Sequence, residues 1–287
     1  MLPIVAGVLT ALSFAVATLA SARASRIAGA VPTLVGQMTV GMILVLPVAM
    51  AVTPLPPVPV ETLVLATLAG AANVSGLLLI YAAYRVGAVG IISTIASTEG
   101  AIAAVVSVLA GQALAPGSGP ALAIVAVGVV LAAAGGGREL EDGVPISRAR
   151  SLRAAGLACG AAALFGFGLF TTGHVSATLP PAWVVLPGRL VGAIALGLPM
   201  LALGRIRLPR AALPYVVVTG CAEVVGFASF AIGSRDDIAL TSVLASMFAP
   251  VAAIAAFVLF RERLATRQIA GIVFVVVGVV ILGWLTA

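Results

Sequence analysis

The sequence contains no lysine and little charge of any kind. Only 8% of its 287 residues are charged, and each of its 15 basic residues is an arginine. Soluble domains carry about 25% charged and about 45–50% apolar residues, whereas this chain is 62% hydrophobic. Because a water-soluble core cannot bury that much apolar surface, the composition predicts a polytopic membrane protein.

The absence of lysine also excludes ATP bound at a P-loop as the energy source. A P-loop for ATP requires the pattern Gly-x-x-x-x-Gly-Lys-Ser/Thr, which this chain cannot contain. The arginines are scattered among the loops, and this suits an anionic membrane face better than a nucleic acid. We therefore expect neither ATP nor nucleic acid as a partner.

Cysteine and histidine are scarce as well. Cys159 and Cys221 lie far apart in apolar runs, and with the single His174 they form neither a disulfide framework nor a metal site. No His-Glu-x-x-His motif occurs, and the GSG at 117–119 has no matched base. We expect no metal, no other cofactor and no enzyme activity, with an integral membrane enzyme as the alternative reading.

Apolar runs of about 20 residues, the length that crosses about 30 Å of hydrocarbon, follow one another along the chain. The N-terminal run has no basic residue before it, so it is predicted to be the first transmembrane helix and not a signal peptide. The predicted spans are 3–21, 31–51, 62–83, 88–110, 119–136, 153–173, 182–203, 211–232, 239–259 and 268–285.

The longest hydrophilic segment, GGGRELEDGVPISRARS at 135–151, lies at the midpoint and separates two similar halves. GAANVSGLLLIYAAY (70–84) aligns with GCAEVVGFASFAIG (220–233), with two glycines in register 150 residues apart. The sequence therefore predicts an all-α membrane protein with ten transmembrane helices in two five-helix repeats. The predicted units are repeat 1–137, linker 138–152 and repeat 153–287.

An odd number of helices per repeat inverts the second copy, and the arginines agree with this. Odd-numbered loops carry 13 arginines, whereas even-numbered loops carry only Arg235, beside Asp236 and Asp237. Arg189 lies within a span. By the positive-inside rule the odd loops are cytoplasmic, so both termini are predicted to lie outside.

SVLASMFAPVAAIAAFVLFRERLATRQIAGIVFVVVGVVIL, residues 242–282, resembles the repeat signature of the EamA family in the drug/metabolite transporter superfamily. That signature is a helix with a mid-span proline, a Gly-Glu-Arg-Leu-like turn and a glycine-containing helix. Pro250 matches the proline, whereas Phe260 replaces the glycine of the turn. The first repeat has a degraded copy, with Gly100-Ala101 in place of the proline and AGQAL (110–114) at the turn.

The resemblance implies transport of small metabolites, such as amino acids or amphiphilic compounds. Two inverted repeats predict a substrate site between them, near the midplane of the membrane. The resemblance also implies that both termini lie in the cytoplasm, which is opposite to the orientation that the arginines predict. The orientation predicted here is the one from the arginines.

Three charged side chains lie well inside predicted spans and away from their ends: Glu99, Arg189 and Glu223. A charge at the bilayer centre costs about 3 kcal/mol or more, so such residues face an interior cavity or pair with one another. Two interpretations are open. In the first, these residues bind substrate or a proton. In the second, one Glu–Arg pair fixes the packing of two helices.

Further polar and aromatic side chains lie at similar depth. Asn73 is the repeat equivalent of Glu223, and Gln37 that of Arg189, as a shared central cavity requires. Tyr81, Tyr84, Phe227 and Phe230 are candidates for its apolar wall, although aromatics at helical spacing also serve plain packing.

These residues favour a secondary transporter in the cytoplasmic (inner) membrane of the cell. Two acids and one arginine fit the amino and carboxylate groups of a zwitterion, so an amino acid or its derivative is the predicted substrate. The alternative is an exporter of hydrophobic cations or drugs, held by Glu99 without Arg189. Protons are a candidate coupling ion, because an apolar surrounding disfavours the charged form of Glu99.

Overall fold

The chain is built from helices joined by short connections. The computed structural model describes residues 2–51, 54, 56–110, 119–121, 123–124, 127–128, 131, 147–205, 207–236, 238–249, 251–252, 255 and 266–286, and no strand occurs among them. The main helices are α1 (Leu2–Ala28), α2 (Ala30–Ala51), α3 (Val60–Tyr84), α4 (Val89–Ala96), α5 (Glu99–Leu109), α6 (Arg148–Ser176), α7 (Pro181–Ala202), α8 (Leu213–Gly233), α9 (Ile238–Ala245) and α10 (Thr266–Thr286).

Six of these helices, α1, α2, α3, α6, α7 and α8, are long and apolar enough to cross a membrane. Large apolar side chains on their outer faces, such as Leu2, Ile43 and Leu201, are exposed, as lipid contact requires. The protein is therefore an all-helical, multi-pass membrane protein, as the composition predicts. Most of the predicted span 119–136 and most of the segment 250–265 lie outside the described residues.

The first and second halves of the chain are packed against each other through antiparallel helix pairs. Helix α1 lies against α8, with Ala6 beside Gly233 and Phe14 beside Gly226. Helix α3 lies against α6 in the same way, with Ala69 near Gly168 and Leu79 near Gly160, and α2 lies antiparallel to α7.

Contacts between the helix ends fix the remaining directions. The Arg26 side chain at the end of α1 donates to the carbonyl of Tyr84 at the end of α3 at 3.1 Å, so these helices run in parallel. Helix α2 runs parallel to α8, since Gly36 lies at Val216 and Val40 at Gly220. Helices α1, α3 and α7 thus run one way, and α2, α6 and α8 run the other way.

Because of these helix directions, most of the described arginines lie at one end of the bundle. The ends of α1, α3 and α7 and the starts of α6 and α8 meet at one end of the bundle, called here the arginine end. Arg235 follows the end of α8, at the opposite end. The described arginines at the arginine end are Arg23, Arg26, Arg85, Arg148, Arg150, Arg153, Arg205, Arg207 and Arg210.

The predicted span 88–110 is interrupted and is not one continuous helix. Helix α4 ends at Ala96, and a Ser97-Thr98 turn separates it from α5, which begins at Glu99. The hydroxyls of Ser97 and Thr98 donate to carbonyls three residues earlier, at 2.7 and 2.8 Å. Hydroxyls bonded to the preceding turn compete with the helical hydrogen bonds and bend a helix. Glu99 is therefore the first residue of a helix.

The same turn occurs in the second half, so the predicted span 239–259 is also interrupted. Helix α9 ends at Ala245, and helix resumes at Phe248 after the Ser246-Met247 turn. The amides of Ser97 and Ser246 donate to the carbonyl four residues earlier at 2.9 and 3.0 Å, and the next amides donate three residues back at 3.2 and 3.0 Å. The two breaks thus share one hydrogen-bond pattern. The predicted mid-span Pro250 lies just outside the described residues.

Candidate functional site

A cavity lies between the two halves of the chain, with α1, α3 and the α4–α5 break on one side and α6 and α8 on the other. The space between its walls, its opening included, amounts to about 660 Å³. Its wall is mostly apolar and aromatic. The lining residues are Phe14, Ala17, Thr18, Ser21, Ala69, Asn73, Leu77, Ile80, Tyr81, Tyr84, Ala96, Glu99, Phe165, Gly168, Leu169, Thr172, Glu223, Phe227 and Phe248.

Glu99 enters this cavity from the first turn of α5, at the helix break. The residue is only 5% exposed, and no described residue makes a hydrogen bond or ion pair with its carboxyl group. The partial positive charge of a helix N-terminus favours an acid at this position. Glu99 therefore offers a carboxyl group that a ligand or a proton can engage.

Aromatic rings form the apolar part of the wall. The Phe14 ring lies 5.1 Å from the Phe227 ring and 6.3 Å from the Phe248 ring, edge-on to the latter. Tyr81 and Tyr84 stack with centroids 6.3 Å apart. Such rings bury apolar ligand surface, and their faces attract cations.

Glu223 faces the same cavity, but it has a partner. Arg189 Nη1 donates to Glu223 Oε2 at 2.6 Å, and the two side chains are only 2% and 6% exposed. The guanidinium also lies 5.6 Å from the centre of the Phe227 ring, and Arg189 Nη1 lies 3.3 Å from the Met38 sulfur. The two charges neutralise each other and tie α7 to α8.

Arg189 does not line the main cavity. It lines a smaller adjoining one of about 290 Å³, whose wall also includes Gly188 and Val185. Asn73, Thr172, Phe227 and Ala69 are shared by both cavities. Polar side chains thus extend from the main cavity toward Arg189.

Gln37 lies behind the main cavity and not in its wall. Its Oε1 accepts a hydrogen bond from the Tyr81 hydroxyl, while the buried Gln37 Nε2 has no hydrogen-bond partner among the described residues. The Tyr84 hydroxyl lies 3.3 Å from Ser93 Oγ. Gln37 and Ser93 therefore orient the two tyrosines that face the cavity.

The structure brings most of the predicted site residues together. Glu99, Glu223, Asn73, Tyr81, Tyr84 and Phe227 line the main cavity, Arg189 lines the adjoining one, and Gln37 holds Tyr81. Phe230 does not line the cavity, because it packs in a core with Ala103, Leu169 and Ala245. His174 is exposed and stacks on Phe170.

Sequence reasoning missed many lining residues, and two groups of them are informative. The first comes from α1, where Phe14, Thr18 and Ser21 resemble ordinary residues of an apolar helix. The second is Phe248, which a repeat alignment would have found, since IAS (95–97) and LAS (244–246) place it opposite Glu99. Among the described residues, no group of His, Cys, Asp or Glu could hold a metal ion.

Comparison with known proteins identifies the second half of the chain. Residues 152–284 match the model of the EamA-like transporter family. This match includes residues 242–282 and confirms the resemblance seen there. One solved crystal structure shares the fold with a TM-score of 0.70 and 15% sequence identity, over 99% of this chain and 96% of that chain. No curated protein matches the chain.

Proposed function

We propose that this EamA-like protein is a secondary transporter for a small solute that carries a protonated amine and an apolar group. The observation that carries the proposal is Glu99, a buried carboxyl group without a bonding partner among the described residues, in a cavity walled by aromatic rings. A buried acid is costly unless it is paired or protonated. A substrate amine supplies the missing partner.

The Arg189–Glu223 pair bears on the choice between a cation and a zwitterion. With Arg189 held by Glu223, Glu99 carries the unpaired charge among the described residues that line the main cavity. This favours an amphiphilic amine, the alternative substrate that the sequence leaves open.

A zwitterion is the second candidate, because Arg189 lines the adjoining cavity. Asn73 and Thr172 connect that cavity to the main one. An amino acid could place its amine at Glu99 and its carboxylate toward Arg189.

Alternating access between two inverted repeats is the proposed mechanism. Helices α1, α2 and α3 run opposite to α6, α7 and α8, their counterparts in the proposed second repeat. The matching breaks at Ser97 and Ser246 support the same correspondence. A cavity between two such halves suits a site that is exposed to each side in turn as one half rocks against the other.

Proton coupling belongs to the same proposal. A carboxyl group that binds an amine in its charged form can carry a proton in the empty transporter, so that proton and substrate exchange. Glu99 is the candidate for this exchange, since Glu223 is paired with Arg189.

The protein is proposed to lie in the cytoplasmic membrane of the cell. The positive-inside rule then places the arginine end of the bundle in the cytoplasm.

Counterflow in proteoliposomes tests this function. Vesicles loaded with an unlabelled alkylamine should take up the labelled amine transiently, and a panel of amino acids should be taken up less. A higher rate for amino acids, lost in a folded Arg189→Gln/Glu223→Gln variant, would favour the zwitterion instead. Chemical conversion of the label without net exchange would indicate an enzyme and contradict the proposal.

A further inference from the structure

The residue that follows each of the two helix breaks lines the cavity. Glu99 follows the Ser97-Thr98 turn, and Phe248 follows the Ser246-Met247 turn, at the same distance from each break. Both residues line the cavity, and both are almost fully buried, at 5% and 6% exposure. The two equivalent positions therefore differ in chemistry, with an acid in one half and an aromatic ring in the other.

We infer that Phe248 is a specificity-determining residue, which contacts the apolar group of the substrate and limits its length while Glu99 binds the charged group. This inference rests on the proposed transport of amines. It makes the substrate an amphiphile whose amine and apolar group are recognised by the two broken helices.

The position of Phe248 in the aromatic wall supports this role. Its ring meets the Phe14 ring edge-on at 6.3 Å, and Phe14 in turn lies 5.1 Å from Phe227. These three rings form one continuous apolar surface that comes from α1, α8 and the segment after the second break. A ligand chain that grows along this surface meets Phe248.

The breaks also touch each other directly, which fixes the spacing between the two positions. Gly100, next to Glu99, lies against Ser246 and the Ser242 carbonyl, so that even a methyl group at residue 100 would not fit without a shift. The Glu99 carboxyl group and the Phe248 ring are therefore held at a fixed distance from each other. A ligand that reaches both must have a defined length.

Binding of straight-chain alkylammonium ions from butyl to octyl, measured by isothermal titration calorimetry on the purified protein, tests the inference. In the wild type, affinity should rise about three- to fourfold per methylene, the value for burying one CH2 group, up to an optimum length. Phe248→Ala should move the optimum to longer chains because the ring no longer limits the cavity. Phe248→Trp should move it to shorter chains, and this second variant keeps the test valid if the first does not fold.

Phe167→Ala is the matched control, because Phe167 lies on α6 at 41% exposure and does not line the cavity. It should keep the wild-type optimum. If Phe248→Ala and Phe248→Trp also keep it while Glu99→Gln abolishes the preference for ammonium over the neutral alcohol, the role of Phe248 is overturned and amine binding stands. If the wild type binds no alkylammonium ion, the proposed function falls, and the inference with it.

Discussion

At the scale of single residues, the buried Arg189–Glu223 pair joins two helices through charge. Its charged atoms are 2.6 Å apart and almost without exposure, so neither charge has an alternative partner in water. Replacing one member of such a pair leaves an uncompensated buried charge, which costs about 3–5 kcal/mol, whereas replacing both is often nearly neutral.

Arg189→Gln alone should therefore lower the free energy of unfolding by about 3–5 kcal/mol. The double variant Arg189→Gln/Glu223→Gln should recover most of this loss, because neither charge remains. Thermal unfolding of the purified variants in detergent measures both effects. Arg205→Gln, at an exposed arginine beyond α7, is the control and should behave as the wild type. Equal stability of Arg189→Gln and the wild type would show that the pair does not stabilise the bundle.

The sequence identifies these charges but not their partners. Glu99, Arg189 and Glu223 are conspicuous because each interrupts an apolar run, and the cost of a charge in lipid predicts that they face the interior. Which acid meets Arg189 depends on how α7 and α8 are rotated about their axes. Helices α7 and α8 carry apolar side chains on every face, so no single hydrophobic stripe indicates how each helix is rotated.

At the scale of elements, the crossing of α3 and α7 depends on two glycines. Gly70 and Gly188 bring the two backbones into contact, so that a Cβ atom at residue 70 would come within 2.5 Å of the Gly188 backbone. This crossing adjoins Arg189 in the wall of the smaller cavity.

Gly70→Ala should separate α3 from α7, lower stability by about 1–3 kcal/mol as overpacking does, and reduce transport. Gly156→Ala is the matched control in α6, because a Cβ atom there meets nothing within 4 Å. It should leave stability unchanged or raise it by up to about 1 kcal/mol, the helix-propensity gain of alanine over glycine. Thermal unfolding and counterflow measure both. Identical behaviour of the two alanine variants would contradict the close crossing.

The helix breaks show where prediction of the elements fails. An apolar run of 23 residues, 88–110, satisfies the length of a membrane span, and hydropathy gives no reason to divide it. The break depends on hydroxyl groups of Ser97 and Thr98 that bond to the backbone of the previous turn. Serine and threonine form such bonds only in some contexts, so the signal is visible only when the two halves are aligned.

At the scale of the whole molecule, the class of the protein follows from composition alone, whereas the packing of its halves does not. A chain that is 62% hydrophobic and 8% charged departs far from the composition of soluble domains, and run lengths then predict the long helices well. The antiparallel pairs α1–α8 and α3–α6 join helices that are distant in sequence. Weak similarity between the halves predicts that such pairs exist but not which faces meet.

The proposed orientation can be measured on intact cells. Single cysteines at Thr178, between α6 and α7, and at Ser151, at the arginine end of α6, should react differently in a background without Cys159 and Cys221. An impermeant thiol reagent should label only residue 178, since the positive-inside rule places the arginine end in the cytoplasm. Labelling both after permeabilisation controls for access. Labelling of residue 151 alone in intact cells would reverse the orientation.

The central claim is that Glu99 couples the binding of an amine to a proton gradient, and accumulation in proteoliposomes tests it most directly. With a pH gradient imposed, the wild type should accumulate a labelled alkylamine above its equilibrium level. Glu99→Gln should insert and fold but lose this accumulation, because the amide carries neither the charge nor the proton. Glu61→Gln makes the same change at an exposed acid in the first turn of α3 and should accumulate as the wild type does. Undiminished pH-driven accumulation by Glu99→Gln would contradict the account.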